Sequence, residues 1–298
     1  MKNLILTCLM AATLAACGTN QPNPPQTLKT SKEQAMETKA MKDAANNAFL
    51  ALFKDYSAEG VRKYIAADII QHNPFVPTGR DALIGFLPAL KQSGITYTNH
   101  RILQDGEFVV LHNSFTNAQA FGAPKIVTID IYRMKDGQAV EHWDAITPVV
   151  EKTASGRSQV DGATTITDLD KTAANKALAV SLIEDVLMGK NPSKITEYIS
   201  AEQYHQHNPG IKDGLSGIVE AVQALTAQKN MFKYKKIHKV LGEGNFVLTV
   251  SEGEWSGKPQ VFYDLFRVQN GKMVEHWDVI QEIPTQGLDN SNGMLGFQ

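Results

Sequence analysis

The chain has 298 residues, of which 43% are hydrophobic and 20% charged, and its formal net charge at pH 7 is −2. This is the composition of an ordinary globular protein, and because no stretch is rich in lysine and arginine, we exclude a nucleic-acid-binding protein. Both cysteines, Cys8 and Cys17, lie near the N-terminus, so we expect no disulfide in the folded part.

The N-terminus has the pattern of a secretion signal. Lys2 precedes an apolar run that is too short to cross a membrane permanently. The segment Leu-Ala-Ala-Cys, ending at Cys17, resembles the cleavage site of bacterial lipoproteins, in which the cysteine becomes the lipidated first residue. We expect a signal peptide at 1–17, a polar tether at 18–32 and an anchored protein in the bacterial cell envelope, on the periplasmic face of the outer membrane. Ordinary secretion with a chance cysteine is the alternative.

The next segment, 33–150, is predicted to place its helices before its strands. Its periodicity predicts helices at 32–53, in a short stretch ending near Ala67, and at 82–90, followed by strands at 97–104, 107–116, 125–134 and 139–149. Asp136-Gly137 is the clearest turn signal before the last strand. This order indicates an α+β fold with the helices on one face of an antiparallel sheet. We refer to 33–150 as unit 1.

The same order recurs in 169–285, which we refer to as unit 2. Helices are predicted at 169–188, 192–199 and 214–227, and strands at 233–242, 245–254, 259–268 and 273–283. Residues 151–168 are a linker rich in Thr, Ser and Gly, and 286–298 form a C-terminal tail.

Two short motifs show that the chain contains an internal duplication. Val-Glu-His-Trp-Asp at 140–144 recurs unchanged at 274–278, and Gln-His-Asn-Pro at 71–74 recurs at 206–209. The period is the size of a domain, so we expect two similar folded units in tandem.

Strand alternation predicts that His142 and Asp144 share one face of the last strand, whereas Glu141 and Trp143 share the other. A three-residue loop, Lys135-Asp136-Gly137, would place Asp130 opposite His142 and Tyr132 opposite Val140. A two-residue loop would instead pair Asp130 with Trp143. We favour the longer loop, and the same rule in unit 2 gathers Asp264, Phe266, His276 and Asp278.

Two carboxylates and an imidazole on an apolar sheet face are costly to bury unless they are paired, and their proximity drives their pKa values apart. Proton-transfer sites are built in this way, although a His-Asp pair could equally do no more than orient the hairpin. His72 and His207 are duplicated too and become candidates, although either could be a solvated loop histidine. The candidate catalytic residues are Asp144, His142, His72, Asp130, Asp278, His276, His207 and Asp264, and the candidate pocket residues are Asn73, His112, Tyr132, Asn208 and Phe266.

The two pockets are not expected to be equal, because His112 of unit 1 aligns with Val250 of unit 2. We therefore expect Asp144 to matter more than Asp278. A metal held by His72, His142 and Asp144 is the alternative, but without a cysteine ligand or a Gly-rich loop we expect no metal and no cofactor.

The last strand and the Gln-His-Asn-Pro motif, with Val-Leu-His between them, resemble the SnoaL-like, polyketide-cyclase-type family over 40–150 and 170–285. The resemblance implies the cone-shaped α+β fold of nuclear transport factor 2 and ketosteroid isomerase, with a pocket between helices and a curved sheet. It also implies cofactor-free aldol condensation, with Asp144 and Asp278 as the acid/base groups.

Two functions follow as hypotheses. The first is an enzyme on a small carbonyl compound, in which Asp144 moves a proton and His72 and His142 stabilise the enolate oxygen. The second is a non-catalytic lipoprotein that binds a small apolar ligand or serves as a scaffold. In either case the Trp143 and Trp277 faces need cover, so we expect the units to form an intramolecular pseudo-dimer.

Overall fold

The protein is described here by a computed structural model that covers residues 30–297. Each unit forms a five-stranded sheet with helices packed against it, which confirms the predicted α+β class. Unit 1 contains α1 (Ser31–Phe53), α2 (Ala58–Tyr64), β1 (Ile65–Gln71), α3 (Arg80–Ser93), β2 (Thr96–Asp105), β3 (Phe108–Thr116), β4 (Lys125–Lys135) and β5 (Gln138–Pro148). Unit 2 contains α4 (Thr172–Leu182), α5 (Ile195–Tyr198), β6 (His205–Gln206), α6 (Gly214–Ala227), β7 (Lys233–Glu243), β8 (Phe246–Trp255), β9 (Lys258–Gln269) and β10 (Lys272–Glu282).

Local sequence explains where the first helices begin and end. The Thr30 hydroxyl accepts a hydrogen bond from the backbone N–H of Glu33, and the Glu33 carboxylate accepts one from the backbone N–H of Thr30 at 2.8 Å. This capping box starts α1. Helix α3 ends at Gly94, whose φ of +63° suits glycine best.

Each sheet has a short parallel edge strand that periodicity did not predict. The chain leaves α2 at Ile65, where a helix reaching Ala67 was expected, and β1 pairs in parallel with β5. Strand β6 pairs in the same way with β10. The strand orders are β1-β5-β4-β3-β2 and β6-β10-β9-β8-β7, so neither sheet is wholly antiparallel. The edge strands are fixed by their pairing partner rather than by their own sequence.

The predicted three-residue loop before β5 is wrong. Asp136 and Gly137 form a two-residue turn with φ of +50° and +77°, as a type I′ hairpin turn requires. Asp130 therefore lies opposite Asp144, and Tyr132 opposite His142. A register shift beside the turn adds one residue to β5, which is why Asp130 still shares a face with His142 and Asp144.

The two sheets pack face to face. Trp143 is 1% exposed and Trp277 is fully buried, in one apolar cluster drawn from both sheets. The segment that follows each sheet crosses to the other unit. The linker carbonyl of Ser158 lies 2.7 Å from Nδ1 of His207, and the tail carbonyl of Gly293 lies 2.7 Å from Nδ1 of His72. The units thus exchange their C-terminal segments reciprocally.

Cys17, the signal peptide and most of the tether lie outside the described residues. Across residues 30–297, none of the helices combines the length and the apolar character that a bilayer span needs.

Candidate active site

The candidate site of unit 1 lies on the helix-covered face of β4 and β5. His142 donates from Nε2 to Asp130 Oδ1 at 3.2 Å and from Nδ1 to Gln71 Oε1 at 2.8 Å. Burial by itself lowers the pKa of His142, but the hydrogen bond to Asp130 and the charges of Asp144 and Asp130 outweigh burial and raise that pKa above its ordinary value. Both ring nitrogens therefore face acceptor oxygens, an arrangement that favours the protonated imidazole.

Asp144 is the carboxyl that can exchange a proton near neutral pH. Its Oδ2 accepts a hydrogen bond from Asn73 at 2.7 Å, whereas its buried Oδ1 has no hydrogen-bond partner among residues 30–297. Burial, with the nearby charge of Asp130, raises the pKa of Asp144 to about 6 against the opposing effects of His142 and Asn73. The side chain combines a free oxygen with a pKa close to the pH at which a general base works well.

The neighbouring Asp130 has a different environment. Its Oδ2 accepts hydrogen bonds from Asn113 at 2.8 Å and from the hydroxyl of Thr128. The carboxyl is thus fully paired and anchors His142, while Asp144 keeps one oxygen free.

Unit 2 repeats this arrangement with different supports. His276 donates to Asp264 at 3.1 Å and to Gln206 at 2.9 Å, and Asn208 donates to Asp278 at 2.5 Å. Burial is again the main cause that raises the pKa of Asp278 to about 6. Asp264 accepts from the hydroxyl of Tyr234 at 3.1 Å, where unit 1 uses Asn113 and Thr128.

His72 does not join the candidate site, contrary to the expectation that it stabilises an enolate. Its Nε2 lies 2.8 Å from Glu141, and its ring stacks on Trp143 with centroids 4.6 Å apart. His207 occupies the same position in unit 2, 3.0 Å from Glu275 and stacked on Trp277. Both histidines lie on the inter-unit face, because Glu141 and Glu275 point away from the helices. The metal set that would include His72 is therefore not assembled.

His112 is also on the inter-unit face. Arg101 donates to its Nδ1 at 3.2 Å, and burial together with the charge of Arg101 holds its pKa well below the ordinary value. The expectation that His112 makes the first pocket more polar is wrong, since side chains alternate and Leu111 faces the candidate site instead. The predicted pocket aromatics do adjoin the site. The ring centroids of Tyr132 and His142 lie 4.9 Å apart, and those of Phe266 and His276 lie 4.8 Å apart.

The ligand-type atoms of Asp130, His142 and Asp144 lie within 4.8 Å of one another, as do those of Asp264, His276 and Asp278. Each set is close enough to share a cation. In both sets the His-Asp hydrogen bond and the Asn donor already engage ligand-type atoms, whereas in unit 1 the Oδ1 of Asp144 has no hydrogen-bond partner among residues 30–297. A cavity of about 490 Å³, lined by Ser114, Lys125 and Arg157 among others, lies beside the linker, and no residue of either set lines it.

Sequence reasoning missed several residues of these sites. Gln71 and Gln206 orient the histidines, and their signal was their place in the repeated Gln-His-Asn-Pro motif. The carboxyl of Asp130 is held by Asn113 and Thr128, and that of Asp264 by Tyr234. Strand alternation could have placed Asn113 and Thr128 on the correct face.

Residues 47–142 match the sequence profile of the SnoaL-like domain. Unit 1 thus contains a SnoaL-like domain. No curated protein matches the chain. Among solved structures, a candidate polyketide cyclase of Bacillus cereus is 20% identical and is similar over 43% of this chain and 88% of its own, with a TM-score of 0.34.

Two further solved structures are similar at the same level. IdmH of Streptomyces antibioticus, a candidate polyketide cyclase, is 24% identical over 36% of this chain and 91% of its own, with a TM-score of 0.31. An epoxide hydrolase of M. tuberculosis is 17% identical over 37% of this chain and 85% of its own, also with a TM-score of 0.31. Similarity at this level does not extend their activities to this chain.

Proposed function

We propose that the protein is a cofactor-free acid/base enzyme acting on a small carbonyl compound, in a reaction of the aldol-condensation or isomerase type. Asp144 and Asp278 are the candidate bases. The observation that carries the proposal is a buried carboxyl whose pKa is raised to about 6, repeated in each unit beside a hydrogen-bonded His-Asp pair. Such a pKa leaves the carboxylate ionised at neutral pH yet basic enough to take a proton.

Three side chains would take part in the proposed proton transfer. Asp144 would remove the proton α to the carbonyl, and Asn73 would hold that carboxylate in place. His142 would supply positive charge close to the developing enolate, because both of its nitrogens are already engaged and it has no proton to donate onward. In unit 2, Asp278, Asn208 and His276 would take these roles.

The repeated motifs and the shared strand order support the proposal that unit 2 is a second SnoaL-like domain. The sequence at Cys17 supports an envelope lipoprotein anchored by lipid. Replacing Cys17 by Ser should release the protein from membranes and abolish the mass of the added lipid. Membrane retention of Cys17→Ser, together with an unlipidated wild type, would refute the anchor.

Deuterium exchange of the α protons of small ketones in D₂O, followed by NMR, tests the proposed chemistry. We expect the wild type to catalyse exchange and Asp144→Asn/Asp278→Asn to lose it by about 10²–10⁴-fold, since Asn keeps the shape but not the base. Asp136→Asn, in the hairpin turn, is the matched control and should exchange at the wild-type rate. Exchange by the double variant at the wild-type rate would overturn the proposal. An inactive wild type that retains a ligand would favour the binding-protein hypothesis.

A further inference from the structure

One difference between the two candidate sites lies in the row of residues that crosses each sheet at the acidic pair. Thr249 on β8 lies directly opposite Asp264, which in turn lies opposite Asp278. In unit 1 the same row is Leu111, Asp130 and Asp144. Unit 2 therefore has a hydroxyl where unit 1 has an aliphatic side chain.

On the helix-covered face of its sheet, unit 2 also contains two buried hydroxyls without a hydrogen-bond partner among residues 30–297; a third such hydroxyl, that of Tyr263, lies in the cluster between the units. The hydroxyl oxygens of Thr249 and Ser251 are buried, and neither has a hydrogen-bond partner within the described part of the chain. Alternation from Val247, which packs in the core of unit 2, places both on the helix-covered face. An unsatisfied buried hydroxyl destabilises a folded protein. In unit 1 the position that matches Ser251 is Asn113, which donates a hydrogen bond to Asp130.

The helices over the two sites also differ. In α3 of unit 1, Leu83, Leu87 and Leu90 are buried against the core. In α6 of unit 2, Gly217 is the one buried residue of 214–227, and Val219 and Val222 are 49% and 44% exposed. Helix α6, which covers the site of unit 2, is consequently held by few buried side chains. Moving it away from its sheet would break fewer packing contacts than moving α3 in unit 1.

We propose that unit 2 is the unit that binds substrate, and that Thr249 and Ser251 bind a second oxygen function of that substrate. This rests on the proposed acid/base function and specifies the substrate class. Neighbouring strands are about 4.8 Å apart, so Thr249 and Asp278, two strands from each other, have backbones roughly 10 Å apart. The substrate is therefore a carbonyl compound that carries a hydroxyl or second carbonyl several bonds away from the acidic C–H.

A pair of ketones that differ by one hydroxyl tests this inference: 4-phenylbutan-2-one and 4-(4-hydroxyphenyl)butan-2-one. We expect the wild type to exchange the hydroxylated ketone with the higher kcat/KM. Thr249→Val/Ser251→Ala should lower that value by about 10–100-fold and leave the unsubstituted ketone unchanged. Thr116→Val, which removes an exposed hydroxyl, is the control and should change neither value. Equal losses for both ketones, or no loss for either, would overturn the inference.

Stability provides a second readout. Thr249→Val should not lower Tm, because its hydroxyl has no partner to lose, whereas Thr128→Val in unit 1 should lower Tm because its hydroxyl donates to Asp130. If the wild type exchanges neither ketone, the proposed chemistry fails, and calorimetric binding of the same pair decides the inference. A preference for the hydroxylated ketone that Thr249→Val/Ser251→Ala abolishes would support it, and equal binding of both ketones would contradict it.

Discussion

Units 1 and 2 carry the same polar triad in different surroundings. The interior of unit 1 is filled by an aromatic cluster of Phe49, Phe53, Tyr97, Phe115 and Tyr132, in which Phe49 and Tyr132 lie 5.4 Å apart and Phe53 and Phe115 lie 4.9 Å apart. In unit 2, the residue that pairs with Tyr234 on the next strand is Gly253, whereas Tyr97 of unit 1 pairs with Phe115. A duplicated set of titrating groups therefore does not imply two equivalent sites, because the packing around the two sets differs.

The largest expected loss of stability comes from breaking an ion pair on the inter-unit face. Arg267 forms an ion pair with Glu275 at 2.7 Å, and Arg133 forms the equivalent pair with Glu141 at 2.7 Å. The side chain of Arg267 is 13% exposed and that of Arg133 is 27% exposed. Removing the arginine leaves each buried carboxylate with only its histidine as a partner, so Arg267→Met should lower the free energy of unfolding by at most about 3–5 kcal/mol and Arg133→Met by less.

Urea denaturation of both variants measures these losses. Lys125→Met, which breaks an exposed pair with Glu151, is the control and should cost at most about 1 kcal/mol. A larger loss in Arg133→Met than in Arg267→Met would contradict the greater burial of the second pair.

Because α3 is buried more deeply than α6, truncating a side chain of α3 should cost more stability. Leu87 of α3 is 6% exposed, so Leu87→Ala should cost about 2–5 kcal/mol through the cavity it leaves. Val222 of α6 is 44% exposed, and Val222→Ala should stay within about 0.5 kcal/mol of the wild type. Thermal and urea unfolding of the two variants measures the contrast. Comparable losses would mean that α6 packs on its sheet as firmly as α3 does.

The raised pKa values of Asp144 and Asp278 should make the free energy of unfolding depend on pH, and this effect is smaller. Folding raises the pKa of Asp144 and of Asp278 from 3.8 to about 6, so each binds its proton more tightly in the folded chain. The free energy of unfolding should therefore fall as pH rises from about 4 to about 6, by roughly 1–3 kcal/mol for each carboxyl. The raised pKa of His142 and His276 adds a further fall as pH rises through the folded value above 6.5.

Asp144→Asn and Asp278→Asn isolate these contributions, because Asn does not titrate. The stability difference between wild type and each variant should shift in favour of the variant as pH rises from 4 to 7. A difference that stays constant across that range would show that the carboxyl does not change its proton affinity on folding.

The sequence was sufficient to predict the α+β class and the grouping of Asp130, His142 and Asp144, because the strand period and the repeated motif are local signals. Although the predicted loop length was wrong, the grouping was correct, because the register shift at Val140 restores the face. His72 could not be placed, since its position depends on β1 lying in parallel beside β5, where the backbone N–H of His72 donates to the carbonyl of His142. That pairing is a long-range contact with no local pattern.

Thr249 and Ser251 illustrate a different limit. Alternation along Phe-Val-Leu-Thr-Val-Ser is readable in the sequence and would have placed both on the face of the candidate base. Whether a hydroxyl on that face finds a partner depends on neighbours from other strands, and only the folded structure shows that these two find none.

Proton exchange by the two single variants on 4-(4-hydroxyphenyl)butan-2-one tests the central claim most directly. Because unit 2 is proposed to bind the substrate, Asp278→Asn should lower the rate by about 10²–10⁴-fold, and Asp144→Asn should lower it less than about threefold. This reverses the expectation that unit 1 carries the chemistry, which depended on placing His112 in its pocket. A large loss in Asp144→Asn with Asp278→Asn near the wild-type rate would contradict the account.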